Sequence, residues 1–342
     1  MRLSPHVVRV IDYLNSVSYI PTIAEIGSAV GLSSSTVWRV LNNLKKLGVE
    51  FKAVVDLGRL GLTEVLLVYK SRLPLDRVPK KLIRSFIRTL EGATFLKYVT
   101  RVHEVESTVN YVIASLDQEP SEVYVLDTIV PPRYVLSHIT RSTLDRLYLR
   151  ELMAVASLPQ FLGKKSVISR LDSIDILLAN KLEENALAKI KEVHSVVKSS
   201  VMACSYQTFL KHFRKHILER DVIIGIRPTI ENYIDRVTPA VRKLLVLYGV
   251  PNFLLKGVKA IIAIPGFTEA YLSTREGIAY VVSTLPVGLI PKVVDFLGIL
   301  ESRDLIRGWI ILEIDSASIL RLPLSEDLGA MSASELLAKA SG

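Results

Sequence analysis

Residues 21–50, PTIAEIGSAVGLSSSTVWRVLNNLKKLGVE, admit few folds. Ile23, Ile26 and Val30 give a short helix one apolar face, Gly31-Leu32 makes a tight turn, and Ser33, Ser34 and Ser35 supply side-chain oxygens to cap the next helix. That second helix is expected over 34–47, with Val37, Val40, Leu41, Leu44 and Leu47 at i, i+3, i+4, i+7 spacing. Its other face carries Ser35, Thr36, Trp38, Arg39, Asn42, Asn43, Lys45 and Lys46. Helix, Gly turn, then a helix with an apolar back and a basic, amide-rich front is the helix-turn-helix layout, whose second helix enters the DNA major groove. Val7, Val8, Ile11, Tyr13 and Leu14 predict a preceding helix. Gly48 is placed to end the recognition helix, and VEFKAVVD alternates like a wing strand. The competing reading is an amphipathic hairpin whose Lys, Arg and Asn simply stay wet.

The second half repeats this plan. LDSIDILLANKLEENA opens a helix, residues 186–194 form another, and Ser205 caps SYQTFLKHFRKHILER before a wing at Asp221-Val222-Ile223-Ile224. Setting Val37 on Leu210 brings Val40 onto Phe213, Leu44 onto Ile217 and Val49 onto Val222, apolar on apolar each time. Gln207, Thr208, Lys211, His212, Arg214 and Lys215 lie off that apolar face and are the second unit's candidates for DNA contact.

Behind the first wing, residues 65–69 read as a buried strand, 78–90 as a helix, 94–102 and 108–116 as two strands, 120–129 as a short helix and 133–139 as a closing strand. That is the βαββαβ order of a ferredoxin-like domain. A connector helix is expected over 142–158. In the second half, 239–248 reads as a helix, 258–264, 269–273, 278–283 and 308–314 as strands, and 289–300 as a helix; the first strand of that domain is not evident. The expected class is therefore α+β, with two winged helix-turn-helix domains alternating with two ferredoxin-like (βαββαβ) α/β sandwich domains. The boundaries are 1–60 and 61–141, a connector and linker at 142–165, then 166–238 and 239–322, and a loose tail at 323–342.

At 342 residues the chain exceeds one small core. Its 43 Lys and Arg against 34 Asp and Glu give a net charge of +9, compatible with a nucleic-acid partner. Cys204 is the only cysteine, so neither an intramolecular disulfide nor a cysteine-based zinc cluster is available, and an intracellular, cytoplasmic protein is expected. No apolar run approaches the roughly 20 residues that cross a bilayer, so no membrane partner is expected.

These residues resemble the Lrp/AsnC (feast/famine) family of prokaryotic transcription regulators. The resemblance rests on SSSTVWRVLNNLKKLGV, on Leu60-Gly61-Leu62 entering an apolar strand, on the α/β domain behind it, and on LDSIDILLANKLEENA opening the second half. It implies a sequence-specific regulator that binds double-stranded DNA and is not an enzyme. Its α/β domains would mediate assembly, as a homo-oligomer (dimer) or an intramolecular pseudo-dimer, and would leave room for a small-molecule effector. The family's Gly-x-x-Asp-like effector turn is replaced by Val102-His103-Glu104-Val105-Glu106 in one half and Ile264-Pro265-Gly266-Phe267 in the other.

Base contacts are expected from Ser35, Thr36, Arg39, Asn42 and Asn43, since Arg reads guanine and Asn reads adenine bidentately. Lys45 and Lys46 suit phosphate, and Trp38 suits either sugar and base edges or packing. His212 and His216 stand at i, i+4, a spacing that can hold a metal, but no third ligand is visible in the sequence. The expectation is a basic contact face with no metal and no cofactor. Two alternatives remain: an architectural or protein-recruiting module, and an enzyme on the same scaffold. Siroheme decarboxylases resemble this family in fold and use His and Arg around a tetrapyrrole, though their motifs are not recognisable here.

Overall fold

The computed structural model describes residues 4–135, 149–157, 171–200, 204–325 and 328. The chain opens with three helices, α1 (Pro5–Ser16), α2 (Ile23–Val30) and α3 (Ser34–Lys46), and then wing strand β1 (Glu50–Val55). Local chemistry sets each boundary. Thr22 and Glu25 form a capping box at the start of α2, Gly31 closes it at φ +66°, and the Ser33 hydroxyl accepts from the Thr36 amide at the start of α3. Val10, Ile11, Leu14, Ile26, Val37, Val40 and Leu44 are buried together between the three helices.

The second half rebuilds this head from α6 (Ser173–Glu184), α7 (Ile190–Ser200) and α8 (Tyr206–His212), which continues as a π-helical turn, Phe213–Leu218, into β7 (Ile223–Thr229) and then α9 (Glu231–Val237). The two wings pair with each other: β1 and β7 run antiparallel from Glu50 opposite Thr229 to Val55 opposite Ile223.

Each head leads into an antiparallel sheet. In the second, β8 (Ala240–Tyr248), α10 (Pro251–Ile262), β9 (Phe267–Ser273), β10 (Ile278–Pro286), α11 (Ile290–Ser302) and β11 (Gly308–Glu313) run in the βαββαβ order, with neighbours β11-β8-β10-β9. In the first, β2 (Leu62–Tyr69), β3 (Ile83–Arg88), β4 (Thr94–Arg101), α4 (Val105–Leu116) and β5 (Glu122–Leu126) give the matching neighbours β3-β4-β2-β5. Here the first crossover helix is replaced by a loop. Each sheet also lends a strand to the other. Strand β6 (Thr128–Val130), from the first half, extends the second sheet beside β9, and β12 (Leu320–Arg321), from the second half, extends the first beside β3. Helix α5 (Leu149–Ala156) packs on α10.

The α+β class is as the sequence implies, but several elements differ. Residues 83–88 are a strand rather than part of a helix, 105–116 a helix rather than a strand, and 122–130 two strands rather than a helix. Residues 240–248 form the strand that the sequence does not make evident, and 258–262 end α10. The cause is burial on both faces. Leu245 and Leu247 of β8 face the helices, Leu244 and Val246 face the other sheet, so polar-apolar alternation is erased. The expected closing strand at 133–139 is not one as far as Val135 and then leaves the described residues, as do much of the connector and linker at 142–165 and most of the tail.

Candidate functional site

The two sheets stack face to face. At one end the contact is apolar: Leu66, Val68 and Phe95 of the first sheet meet Leu244, Val246 and Tyr280 of the second. Strand periodicity carries the same faces to the other end, where they turn ionic. Two residues before Leu66 on β2 comes Glu64, and two after Phe95 on β4 comes Lys97; across from them β9 presents Glu269 and Tyr271. Sequence reasoning singles out none of these four. Their signal is a charge inside an apolar strand, as in LTEVLLVY and TFLKYVTR.

Lys97 Nζ lies 2.9 Å from Glu64 Oε1 and 3.2 Å from the centre of the Tyr271 ring. Burial pulls the Lys97 ammonium down to about 8, against the opposing pull of Glu64. The Tyr271 hydroxyl donates to Glu269 Oε1 (2.8 Å), and burial beside that carboxylate pushes the phenol well above its ordinary value. Glu269 accepts Arg321 Nη2 at 2.8 Å, and Arg227 Nε lies 3.2 Å from its second oxygen. Burial would raise its carboxyl, but the two guanidiniums outweigh that and hold it well below the usual range. Arg227 also reaches Glu231 at 2.8 Å, and Arg84 pairs with Glu183 and donates to the Leu322 carbonyl. Charges are balanced pair by pair, as buried ions must be.

Beside this network opens a cavity of ≈ 270 Å³, walled by the end of β1, the turn after it, the start of β2, the β5–β6 strip and Tyr271. Its polar wall is acidic: Asp56, Glu64 and Asp127, with Thr63, Thr128 and Tyr271, and no Lys or Arg among the described lining residues. Glu64 therefore links two environments, facing the cavity with Lys97 behind it.

The residues expected to meet DNA lie elsewhere. Ser35, Arg39, Asn43, Lys45 and Lys46 are exposed on α3, whereas Thr36 and Asn42 are half-buried and Thr36 is bonded to Ser33 and Arg39. Trp38, 56% exposed, lines a groove of ≈ 320 Å³ with Asn42 and Lys45, facing Asn185, Leu187 and Lys189 of the second head. Gln207, Thr208, Lys211, Arg214 and Lys215 are exposed. His212 is drawn inward, its Nδ1 3.0 Å from the buried Asp175 carboxylate.

No protein-family model matches the chain. No curated protein matches it either. Two solved structures do, along nearly the whole length. The siroheme decarboxylase NirDL superposes with a TM-score of 0.55 at 12% identity, covering 98% of this chain and 99% of that one. The same enzyme in co-complex with an iron-uroporphyrin III analogue gives 0.54 at 11% identity, covering 98% and 100%. At such identities the likeness is one of fold, and it agrees with the α+β class. It also corrects two expectations, that the chain is a DNA-binding transcriptional regulator and that it is not an enzyme. The two solved structures that match it along nearly its whole length are both of an enzyme. Among the described residues no helix is long and apolar enough to cross a membrane.

Proposed function

We propose that the chain is a decarboxylase of carboxylate-bearing tetrapyrroles of the siroheme kind. The observation that carries this reading is the extent of the fold likeness: the superposition on a siroheme decarboxylase covers 98% of this chain and 99% of that one. A net charge of +9 favours a substrate with many carboxylates.

The cavity between the sheets supports the same chemistry. At ≈ 270 Å³ it falls just short of the roughly 300–1,000 Å³ of drug-sized sites, so it suits one pendant arm of a macrocycle held outside it. Its wall of Asp56, Glu64 and Asp127 repels an arm that ends in a carboxylate and tolerates neutral CO₂. Binding contacts elsewhere on the substrate would hold the arm against that repulsion, and loss of CO₂ relieves it. When the C–C bond to the carboxylate breaks, its electron pair stays on the arm's carbon, which then takes a proton. Lys97 holds the proton to be given, and Glu64, 2.9 Å in front of it on the cavity wall, is placed to take it up and pass it to that carbon.

The test is to mix the purified chain with siroheme, tracking the tetrapyrrole absorption bands for binding and product mass for loss of CO₂. A saturable spectral shift with a product lighter by one or more CO₂ is expected. The Glu64→Gln protein should still shift the bands but lose turnover by about 100-fold or more. An unshifted spectrum together with unaltered substrate mass would sink the proposal.

A further inference from the structure

The two heads of the molecule differ at one buried point. Helices α3 and α8 both start at a capping serine, Ser33 and Ser205, whose hydroxyls accept the Thr36 and Thr208 amides. Matching those caps sets Val37 on Phe209, both fully buried. It then sets the core residues Val40 and Leu44 on His212 and His216. The π-helical turn Phe213–Leu218 inserts one residue, after which Ile217 takes the place of Leu44 in the core and Val222 that of Val49. This is why setting Val37 on Leu210 matches the later positions but not the first: Leu210 is exposed. One head fills the space with methyl groups; the other bulges its helix to aim two imidazoles inward. Single-turn π insertions of this sort concentrate at functional sites.

Helix α6 meets these imidazoles with Asp175, whose side chain is completely buried. His212 Nδ1 lies 3.0 Å from Asp175 Oδ1, and His216 Nδ1 lies 2.9 Å from the same oxygen and 3.0 Å from Oδ2. Asp172, the N-cap of α6, spends one oxygen on the Ile174 and Asp175 amides and holds the other 3.4 Å from His212 Nδ1. Asp172 is 39% exposed and His216 25%, so the cluster opens to solvent on that side.

We propose that His212, His216, Asp175 and Asp172 bind a divalent transition-metal ion of the zinc class, which pins α8 to α6. Two imidazole nitrogens and carboxylate oxygens are the donors Zn²⁺ takes, with bonds of about 2.0–2.2 Å, so ligand atoms around a tetrahedral ion stand roughly 3.3–3.5 Å apart. The Asp172–His212 separation already falls there, and the Asp175–imidazole pairs need to open by only a few tenths of an ångström. The imidazoles lie at i, i+4 on one helix and the carboxylates at i, i+3 on its neighbour; Asp175, His212 and His216 already hold their ligand atoms within 4.8 Å of one another, and Asp172 turns its free oxygen in beside His212 to complete the set. The sequence shows the histidine pair; its acidic partners sit on a helix well upstream, where spacing does not reveal them.

Co²⁺ titration of the full chain, read by visible absorption, tests this. One equivalent of Co²⁺ should give the intense bands of tetrahedral coordination, Zn²⁺ should abolish them, and the doubly substituted His212→Gln/His216→Gln protein should bind at least about tenfold more weakly. The Asp172→Asn protein keeps its N-cap, because Asn caps as well as Asp, and should also bind more weakly. Equal Co²⁺ affinity in the native and doubly substituted proteins, or a spectrum of octahedral hydrated Co²⁺, overturns the site. Where the double variant fails to fold, Asp172→Asn decides: unchanged affinity overturns it.

Discussion

Lys97 on one sheet rests its ammonium 3.2 Å from the centre of the Tyr271 ring on the other. The contact joins the two halves of the chain, since β4 belongs to the first and β9 to the second. It also explains how a lysine stays buried between the two sheets. Glu64 neutralises it from its own sheet, and the ring face of Tyr271 stabilises it from across. Beyond the ring, the Tyr271 hydroxyl continues the chain of contacts to Glu269 and its two arginines.

The depressed Lys97 value gives stability an alkaline signature. With the folded value near 8 and the unfolded one near 10.5, the unfolded chain binds the extra proton across that window. Stability therefore rises with pH there: the cost of burying the charge is present in full below about 8 and gone above about 10.5. The whole change is on the order of 3 kcal/mol. Urea denaturation at a series of pH values should show this rise, and the Lys97→Met protein should lack it. A native protein with no rise between 8 and 10.5 would mean that Lys97 stays charged.

The Lys97–Glu64 pair should behave non-additively. Lys97→Met leaves a buried carboxylate without its partner, and such a loss costs about 3–5 kcal/mol. Adding Glu64→Gln removes the stranded charge, so the double variant should recover most of that loss. Denaturation midpoints of the four proteins of the cycle measure the coupling. Additive effects would show that water, rather than Lys97, satisfies Glu64.

Glu269 predicts the opposite pH dependence. Its folded carboxyl is held well below the ordinary range by Arg227 and Arg321. That stabilisation is complete above the unfolded value of about 4.3 and is lost as the pH falls through the folded one. Glu269→Gln should cost about 3–5 kcal/mol at neutral pH, by leaving Arg227 and Arg321 with one carboxylate fewer and Arg227 with Glu231 alone, and should flatten the acid limb of the stability profile. Acid-titration circular dichroism checks both, and an acid limb of unchanged steepness would reassign it to other carboxylates.

How far the sequence reveals this molecule depends on whether an element shows one face to water. The first head is legible because α3 does: Val37, Val40 and Leu44 are buried while Arg39, Asn43 and Lys46 are exposed. Strand β8 reads as a helix because both its faces are covered, leaving LLVL with no polar beat. Helix α4 reads as a strand because TVNYVIASL is β-branched and aromatic, the composition of a strand, although its buried Thr108 and Val112 keep helical spacing. The ionic network is harder still. Glu64, Lys97, Arg227 and Glu269 are far apart in sequence, and only the stacking of two sheets brings them together. The regulator reading fails for a related reason: a capped helix with an apolar back and a basic front specifies how the helix packs, and its exposed Arg39, Asn43 and Lys46 do not by themselves specify what they meet.

Gly266 is where the backbone of the second sheet leaves least room for change. The turn from α10 into β9 passes through it at φ +104°, in the left-handed region that side chains with a Cβ rarely adopt. An added Cβ would also run into the Thr284 carbonyl, which is backbone and has no rotamer to yield, and would press on Ile234 from the second head at 3.2 Å. The Thr284 amide meanwhile donates to the Gly266 carbonyl at 2.8 Å, so the two strands cannot part without losing that bond. Gly266→Ala should therefore lose about 3 kcal/mol or more, combining a strained φ with a backbone clash. Gly92, at φ +97° with nothing near its absent Cβ, is the control: Gly92→Ala bears the φ strain alone and should lose about 1–2 kcal/mol. Thermal denaturation of the two variants separates the terms, and equal losses would show that the strands around Thr284 give way at no cost.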